Sequence, residues 1–303
     1  MSKILDCAII GSGPAGFTSA IYLLRNNLDI VLLEKNIPGG AIVNTASIEN
    51  YPGFETIGGA DLASKMYTQV LKLGAHPEGD EIKSIKKGPN GMFTLVGDNN
   101  IYYAKYVILA LGLENRKLGF TGEEKFIGRG ITFCAVCDGF LYKDQEVAVA
   151  GGGSAALEES LYLASICKKV YIIHRREVFR ADDSIVEKVK KNPKIELVLN
   201  ETISEVVGEE KFEGLKLNSG KIIKVKALFE FVGYIPHTKF LEPLDILDDK
   251  GFVVVDKQYE TKIEGMFAVG DVIETEVRQI ATAIGDGAYA STIIARKIAN
   301  GKF

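Results

Sequence analysis

Two stretches of this chain repeat one pattern. Residues 6–16 read D-C-A-I-I-G-S-G-P-A-G and residues 146–156 read E-V-A-V-A-G-G-G-S-A-A. Each is a short apolar strand that runs into a glycine-rich turn and then into a helical pattern. The helices are expected from about Ala15 to Leu24 and from about Ala155 to Ala164. Each is followed by a second strand, Ile30–Glu34 and Val170–His174. A strand, helix and strand in that order make a parallel βαβ unit. Two such units 140 residues apart, in a chain of 303 residues, call for two α/β domains of the same type.

The remaining elements are expected mostly as strands: Tyr102–Leu111, Lys194–Leu199, Gly214–Leu217, Lys221–Val232, Phe252–Val255 and Gly265–Val269. A long helix, Gln279–Ala299, closes the chain. No Pro/Ser/Gly-rich linker separates the domains. The chain is expected to cross between them near Glu114–Arg116 and near Pro243–Leu247. That makes residues 1–115 and 245–303 one discontinuous domain, with 116–244 inserted into it.

The glycines carry the first chemistry. Gly11, Gly13 and Gly16 form G-x-G-x-x-G between strand and helix. In that spacing one glycine permits the tight turn, one lets the backbone approach a pyrophosphate, and one lets helix and strand pack closely. The helix start then offers N–H groups and a positive dipole end to the phosphates. Glu34 ends the next strand, where a carboxylate accepts hydrogen bonds from ribose hydroxyls and repels a 2′-phosphate. The first site is therefore expected to take FAD or NAD. In the second unit Gly151, Gly153 and Ala156 make G-x-G-x-x-A. The position matching Glu34 is His174, followed by Arg175, Arg176 and Arg180. Guanidinium groups there suit a 2′-phosphate, so NADPH is expected. The fold class is α/β, with two Rossmann-like, FAD/NAD(P)-binding, three-layer ββα domains, the second inserted in the first.

Between the two turns lies Cys134-Ala-Val-Cys137-Asp138. Two intervening residues suit a reversible disulfide at a tight turn or helix start. Asp138 is a candidate acid if burial raises its pKa. Half a zinc site is the rival, but it lacks further ligands. Cys7 falls in a core strand, Cys167 in a helix, and His76, His174 and His237 are scattered. Cys7 and Cys167 read as apolar fillers.

The net charge of −4 argues against a general nucleic-acid or membrane-surface binder. The apolar runs are short, as in buried strands, so no membrane span is expected. The N-terminus shows no signal peptide, and a cytoplasmic location is expected.

With these residues in place, the chain resembles the low-molecular-weight, bacterial-type thioredoxin reductases. The resemblance rests on G-S-G-P-A-G at 11–16, E-N-Y-P-G at 49–53, C-A-V-C-D-G at 134–139, H-R-R-E-V-F-R-A at 174–181 and G-Y-I-P at 233–236. It continues through G-M-F-A-V-G-D at 265–271, R-Q-I at 278–280 and G-D-G-A at 285–288. It implies a homodimer that passes electrons from NADPH through FAD and the Cys134–Cys137 pair to thioredoxin. It also implies flavin contacts from Gly40, Asn50, Asp271, Arg278, Gln279 and Ile280, with Asp271 on the ribityl chain. Cys137 would face the flavin, and Cys134 would attack the partner's disulfide. The departures are Ala41, where glutamine is frequent, Leu111 in A-L-G, and Ser154-Ala155 in the second turn.

Four related scaffolds fit less well. A ferredoxin–NADP reductase would lack the dithiol. A dithiol oxidase would not need the arginines. The glutathione-reductase class has a wider-spaced pair and a C-terminal histidine. A hydroperoxide-reductase flavoprotein would carry an extra N-terminal domain. A non-enzymatic nucleotide sensor would need both turns and no dithiol.

Overall fold

The structure is a computed structural model, and it describes residues 3–45 and 48–301. The chain divides into two compact units: Met1–Val43, Ile57–Glu114 and Ile235–Phe303 in the first, Asn44–Thr56 and Asn115–Tyr234 in the second. The chain passes between the units at Glu114–Asn115 and at Tyr234–Ile235, and the short segment around E-N-Y-P-G groups with the second unit.

In the first unit Ile4–Ile10 lies at the centre of the sheet. It pairs in parallel with Ile30–Glu34 on one side and with Ile101–Leu109 on the other. The strand Pro77–Gly79 extends one edge in parallel. Ile101–Leu109 is long enough to take two partners along its far side. Its first half pairs antiparallel with Phe93–Gly97, and its second half pairs parallel with Met266–Ala268. Ile82–Lys87 completes an antiparallel meander. The central strands are buried on both faces, which explains their continuous apolar runs.

Two helices, Pro14–Arg25 and Ile280–Ala299, pack against each other. They approach closely because small residues meet: a Cβ on Gly287 would lie 2.5 Å from the Ala15 carbonyl oxygen, and the Ser291 hydroxyl donates to the Ser19 carbonyl at 3.4 Å.

The second unit has three layers. Its five-stranded sheet is wholly parallel, with Glu146–Gly151 flanked by Lys169–His174 and Leu228–Phe231; Ile195–Leu199 and Ile131–Thr132 form the edges. Alternation along the central strand sorts the layers. Val147 and Val149 pack with Leu157 and Leu163 of the helix Ser154–Ile166. Ala148 and Ala150 face Ile203, Leu215 and Ile223 of a three-stranded antiparallel sheet. Each buried Val, Leu or Ile side chain here stabilises by about 1.5–3 kcal/mol, so these two cores hold the layers together.

Several expected elements differ. Lys221–Val232 is two strands, Ile222–Ile223 in the antiparallel sheet and Leu228–Phe231 in the parallel one. Both pieces are apolar, so hydropathy alone shows no break where the chain changes sheets. Phe252–Val255 is no strand; Val253 forms only isolated bridges, to Leu247 and Ile273. Helices Gly59–Lys72 and Asp183–Lys191 are not among the expected elements. Among the described residues no helix is long and apolar enough to cross a membrane.

The second unit also buries an acid. Glu230 is 3% exposed. Burial, and then the charge of neighbouring Glu123, raise its pKa to about 9. Glu123 is itself buried and accepts from the backbone N–H groups of Leu118 and Gly119 at 2.7 and 2.6 Å. Between the ordinary glutamate value and about 9 the folded chain keeps a proton that the unfolded chain has lost. Stability therefore falls as pH rises through that window, with a slope on the order of 1 kcal/mol per pH unit from this group. Glu230→Gln is expected to remove that slope and to raise stability at pH 8. Denaturant midpoints of both proteins from pH 5 to 9 test it, and parallel curves would contradict it.

Candidate active site

In the first unit the glycine turn has two kinds of glycine. Gly11 sits at φ +102°, and a Cβ there would lie 2.2 Å from the Ala110 carbonyl oxygen; a Cβ on Gly16 would lie 1.8 Å from that of Gly11. Both positions are closed by the protein's own backbone. Gly13 differs: its nearest neighbour would be the Gly40 Cα at 3.8 Å, so the space before it is open. Gly13 is also the N-cap of Pro14–Arg25, with no side-chain cap and no acid in the first turn. Gly39 donates to the Ser12 carbonyl at 3.0 Å, which brings Gly40 against the turn. Glu34 accepts from the Ser12 N–H at 2.9 Å and the Ser12 hydroxyl at 2.7 Å through one oxygen, and from the Asn36 N–H at 2.9 Å through the other. The carboxylate is thereby locked beside the turn. An open, uncapped helix start next to a fixed carboxylate fits a pyrophosphate and a ribose.

The same unit sets Asp271 in a short turn, Gly270–Val272. Burial pushes the Asp271 carboxyl up, the Arg278 charge opposes this, and Asp286 adds to it. Asp286 holds the turn: it accepts from the Gly270 N–H at 3.1 Å and from the Tyr259 hydroxyl at 2.6 Å. The Arg278 guanidinium lies 5.0 Å over the Phe252 ring and donates to the Thr275 carbonyl at 2.8 Å. Gln279 caps the long helix in a reciprocal pair with Thr282, and Ile280 is that helix's first residue. Asn50 lies in the segment Asn44–Thr56, which groups with the second unit.

The second turn has a similar plan with different filling. A Cβ on Gly151 would lie 2.6 Å from the Ala156 Cβ and 2.7 Å from the Phe231 carbonyl oxygen. Gly153 has open space, its closest neighbour being the Arg180 carbonyl oxygen at 3.9 Å, and it is the uncapped N-cap of Ser154–Ile166. His174 is buried under the turn. A Cβ on Gly152 would lie 2.1 Å from the His174 ring, and that ring stacks on Phe179 at 5.3 Å. Burial lowers the imidazole, the Val178 carbonyl opposes, and the three arginine charges add to the lowering. Arg180 is tied to the turn through its backbone N–H, 2.7 Å from the Gly152 carbonyl. The Arg175, Arg176 and Arg180 side chains are exposed.

Cys134 and Cys137 form a disulfide, with Cα atoms 5.3 Å apart. Cys134 is the N-cap of the single helical turn Ala135–Asp138, and its sulfur accepts from the Cys137 N–H at 3.1 Å. That bond favours a thiolate on Cys134 once the disulfide opens. Burial raises the pKa of Asp138, and a hydrogen bond from the Thr132 hydroxyl opposes the rise. Burial thus favours the protonated form of this carboxyl, which follows Cys137 directly in the chain. Cys7 and Cys167 are free and buried. Burial pushes the Cys167 thiol up to about 11 and the Cys7 thiol higher still, so both are inert at neutral pH. Among the described residues no cluster of His, Cys, Asp and Glu could hold a metal ion.

The family model for pyridine nucleotide-disulphide oxidoreductases matches residues 5–287. The chain belongs to this family. Its similar proteins include thioredoxin reductases. That of Listeria monocytogenes is 43% identical over 294 residues, covering 95% of this chain and 92% of the relative. That of Bacillus subtilis is 39% identical, covering 95% and 93%. The solved thioredoxin reductase of Streptococcus pyogenes is 36% identical, covers 98% of this chain and 99% of that one, and superposes with a TM-score of 0.94. Pyridine nucleotide-disulphide oxidoreductases of this kind use FAD and NADPH, and the chain is an oxidoreductase of the thioredoxin reductase type.

Within this reductase scaffold the structure gives a place to residues in and beside the motifs. Val136, Phe140 and Leu141 flank the disulfide and are 46%, 57% and 40% exposed. Apolar side chains standing in water on a short turn suit a protein partner. The run C-A-V-C-D-G-F-L carried that signal. Asp286 and Tyr259 hold the Asp271 turn, and G-D-G-A marked the aspartate without indicating its partner.

The two kinds of glycine separate folding from binding. Gly16→Ala is expected to destabilise by about 1–3 kcal/mol through overpacking and to strip the flavin. Gly13→Ala is expected to keep its melting temperature within a few degrees while losing bound flavin. Thermal melts and the flavin-to-protein absorbance ratio of the purified variants check both. Equal thermal losses in the two would contradict the distinction.

Proposed function

We propose that this chain is an NADPH-dependent thioredoxin reductase that delivers two electrons to the disulfide of thioredoxin through Cys134 and Cys137. The observation that carries the reading is the Cys134–Cys137 disulfide on an exposed apolar turn, with Asp138 following directly, in a chain whose relatives match it nearly end to end. When bound, FAD supplies the chemistry of accepting a hydride from NADPH and passing an electron pair to a disulfide.

The chain's own residues then have distinct tasks. Gly11, Gly13, Gly16 and Gly40 admit the FAD pyrophosphate, and Glu34 takes the ribose hydroxyls. Asp271 would accept from the ribityl chain. Arg278, Gln279 and Ile280 would present a helix start to the flavin ring, and Asn50 is assigned to the flavin on family likeness. Gly151, Gly153 and Ala156 admit the NADPH pyrophosphate. His174 supports that turn from beneath, while Arg175, Arg176 and Arg180 clamp the 2′-phosphate. Cys137 would be the sulfur that takes up the electron pair that bound FAD supplies. Cys134 then attacks the partner's disulfide as a thiolate, and Cys137 resolves the mixed disulfide, with Asp138 holding and returning the proton. The enzyme works as a homodimer in the cytoplasm and has no nucleic-acid partner.

Cys134→Ser or Cys137→Ser is expected to abolish thioredoxin reduction while NADPH-driven reduction of an artificial electron acceptor continues. Retention of both activities would remove the dithiol from the mechanism. Replacing Arg175 and Arg176 together by alanine is expected to raise KM for NADPH by about 10–100-fold, the worth of one charged hydrogen bond, and to leave KM for NADH unchanged. Steady-state kinetics with the two nucleotides decide it.

A further inference from the structure

The hydroxyl of Thr132 ends the edge strand Ile131–Thr132 and lies between two groups of the dithiol turn. It accepts from the Cys134 backbone N–H at 3.4 Å and donates to Oδ2 of Asp138. A threonine hydroxyl has a single proton. With its acceptor side turned to the Cys134 N–H, that proton is committed to Oδ2. The backbone of Asp138 is fixed as well, since its N–H donates to the Cys134 carbonyl at 3.1 Å. Oδ1 of Asp138 is buried and has no hydrogen-bond partner. The two oxygens of one carboxyl are thus made unequal: one is occupied as an acceptor, the other kept open in a buried place.

We propose that Thr132 is a positioning residue that holds Oδ2 of Asp138 and so makes Oδ1 the atom that carries the transferred proton. This rests on the thiol–disulfide reading of Cys134 and Cys137.

The step balances as follows. Starting from ionised Asp138, Cys134–SH gives its proton to Oδ1. Its sulfur bonds to one sulfur of the partner's disulfide as that S–S bond breaks, and the leaving sulfur takes the proton from Oδ1. The Cys137 thiol then repeats the transfer. Its sulfur bonds to Cys134, and the partner's second sulfur leaves as a thiol. The enzyme dithiol is oxidised by two electrons and the partner reduced by two.

Among the described residues, Thr132 and Tyr142 interact with the Asp138 carboxyl. Tyr142 on the following turn is itself raised, first by burial and then by the Asp138 charge. The helix Ser154–Ile166 packs against the dithiol turn and brings Glu158 and Glu159. Glu159 is raised by burial and then by Glu158. Burial favours the protonated form of Asp138, and the Thr132 bond is what opposes it. Removing the hydroxyl must therefore move the carboxyl further up.

The test compares Thr132→Val, Thr132→Ser and wild type, with Thr132→Ala replacing the valine variant if that does not fold. The carboxylic-acid C=O band of Asp138 is titrated by infrared spectroscopy in the oxidised holoenzyme, Asp138→Asn identifying the band. The pH profile of thioredoxin reduction is measured beside it. The valine variant is expected to shift both midpoints upward by about one unit, and the serine variant to return them to wild type. Unmoved midpoints with a uniformly slower rate would overturn the proposal, as would a serine variant that behaves like valine. If no thioredoxin is reduced by wild type, the proposed function fails, and the infrared shift alone still decides the role of Thr132.

Discussion

The distance of closest approach between a helix and a strand governs this molecule. At both glycine turns the backbone passes so near itself that a single methyl group would overlap a carbonyl oxygen: Gly16 against Gly11, and Gly151 against Phe231. That closeness brings an uncapped helix start to the end of each central parallel strand. A helix start without a side-chain cap leaves N–H groups unsatisfied, a cost that an anionic ligand repays. The glycines that cannot accept a Cβ set the close packing, and Gly13 and Gly153 are the ones with open space before them at the helix starts. The two turns then diverge through one position. Glu34 is a fixed acceptor beside the first. His174 is a buried ring beneath the second whose pKa is held down by burial, with the exposed arginines beside it adding to that lowering.

Much of this was readable in the sequence because its causes are local. Strand, glycine turn and helix occupy consecutive residues, so the two repeats located the parallel cores, and Cys-x-x-Cys located the redox turn. What was not readable depends on residues far apart. The apolar run Lys221–Val232 gives no sign that it changes sheets at its middle. The helix Gly59–Lys72 begins at Gly58 with no side-chain cap, so it lacks the Ser, Thr, Asp or Asn signal that marks a helix start. Tyr259 and Asp286 are 27 positions apart and meet through one hydrogen bond. Thr132 precedes the dithiol by two residues, but only the course of the edge strand shows that its hydroxyl reaches Asp138. The exposure of Phe140 and Leu141 likewise contradicts what their hydropathy suggests, because the turn is too short to bury them.

Three carboxyls show how one physical cause gives three outcomes. Burial is the largest influence on Asp138, Asp271 and Glu230, and it raises all three. The difference lies in what stands against it. Asp138 has the Thr132 hydroxyl and Asp271 has the Arg278 charge, so each keeps an interaction that favours its ionised form. Glu230 has the opposite: the next largest influence on it is Glu123, a like charge, and only the more weakly felt Lys117 works the other way. A carboxyl so placed stays protonated at neutral pH and exchanges no proton with any reaction there. The two acids beside the proposed chemistry are the ones given a counterweight, and the acid without a strong one lies in the core of a sheet, where its cost is one of stability.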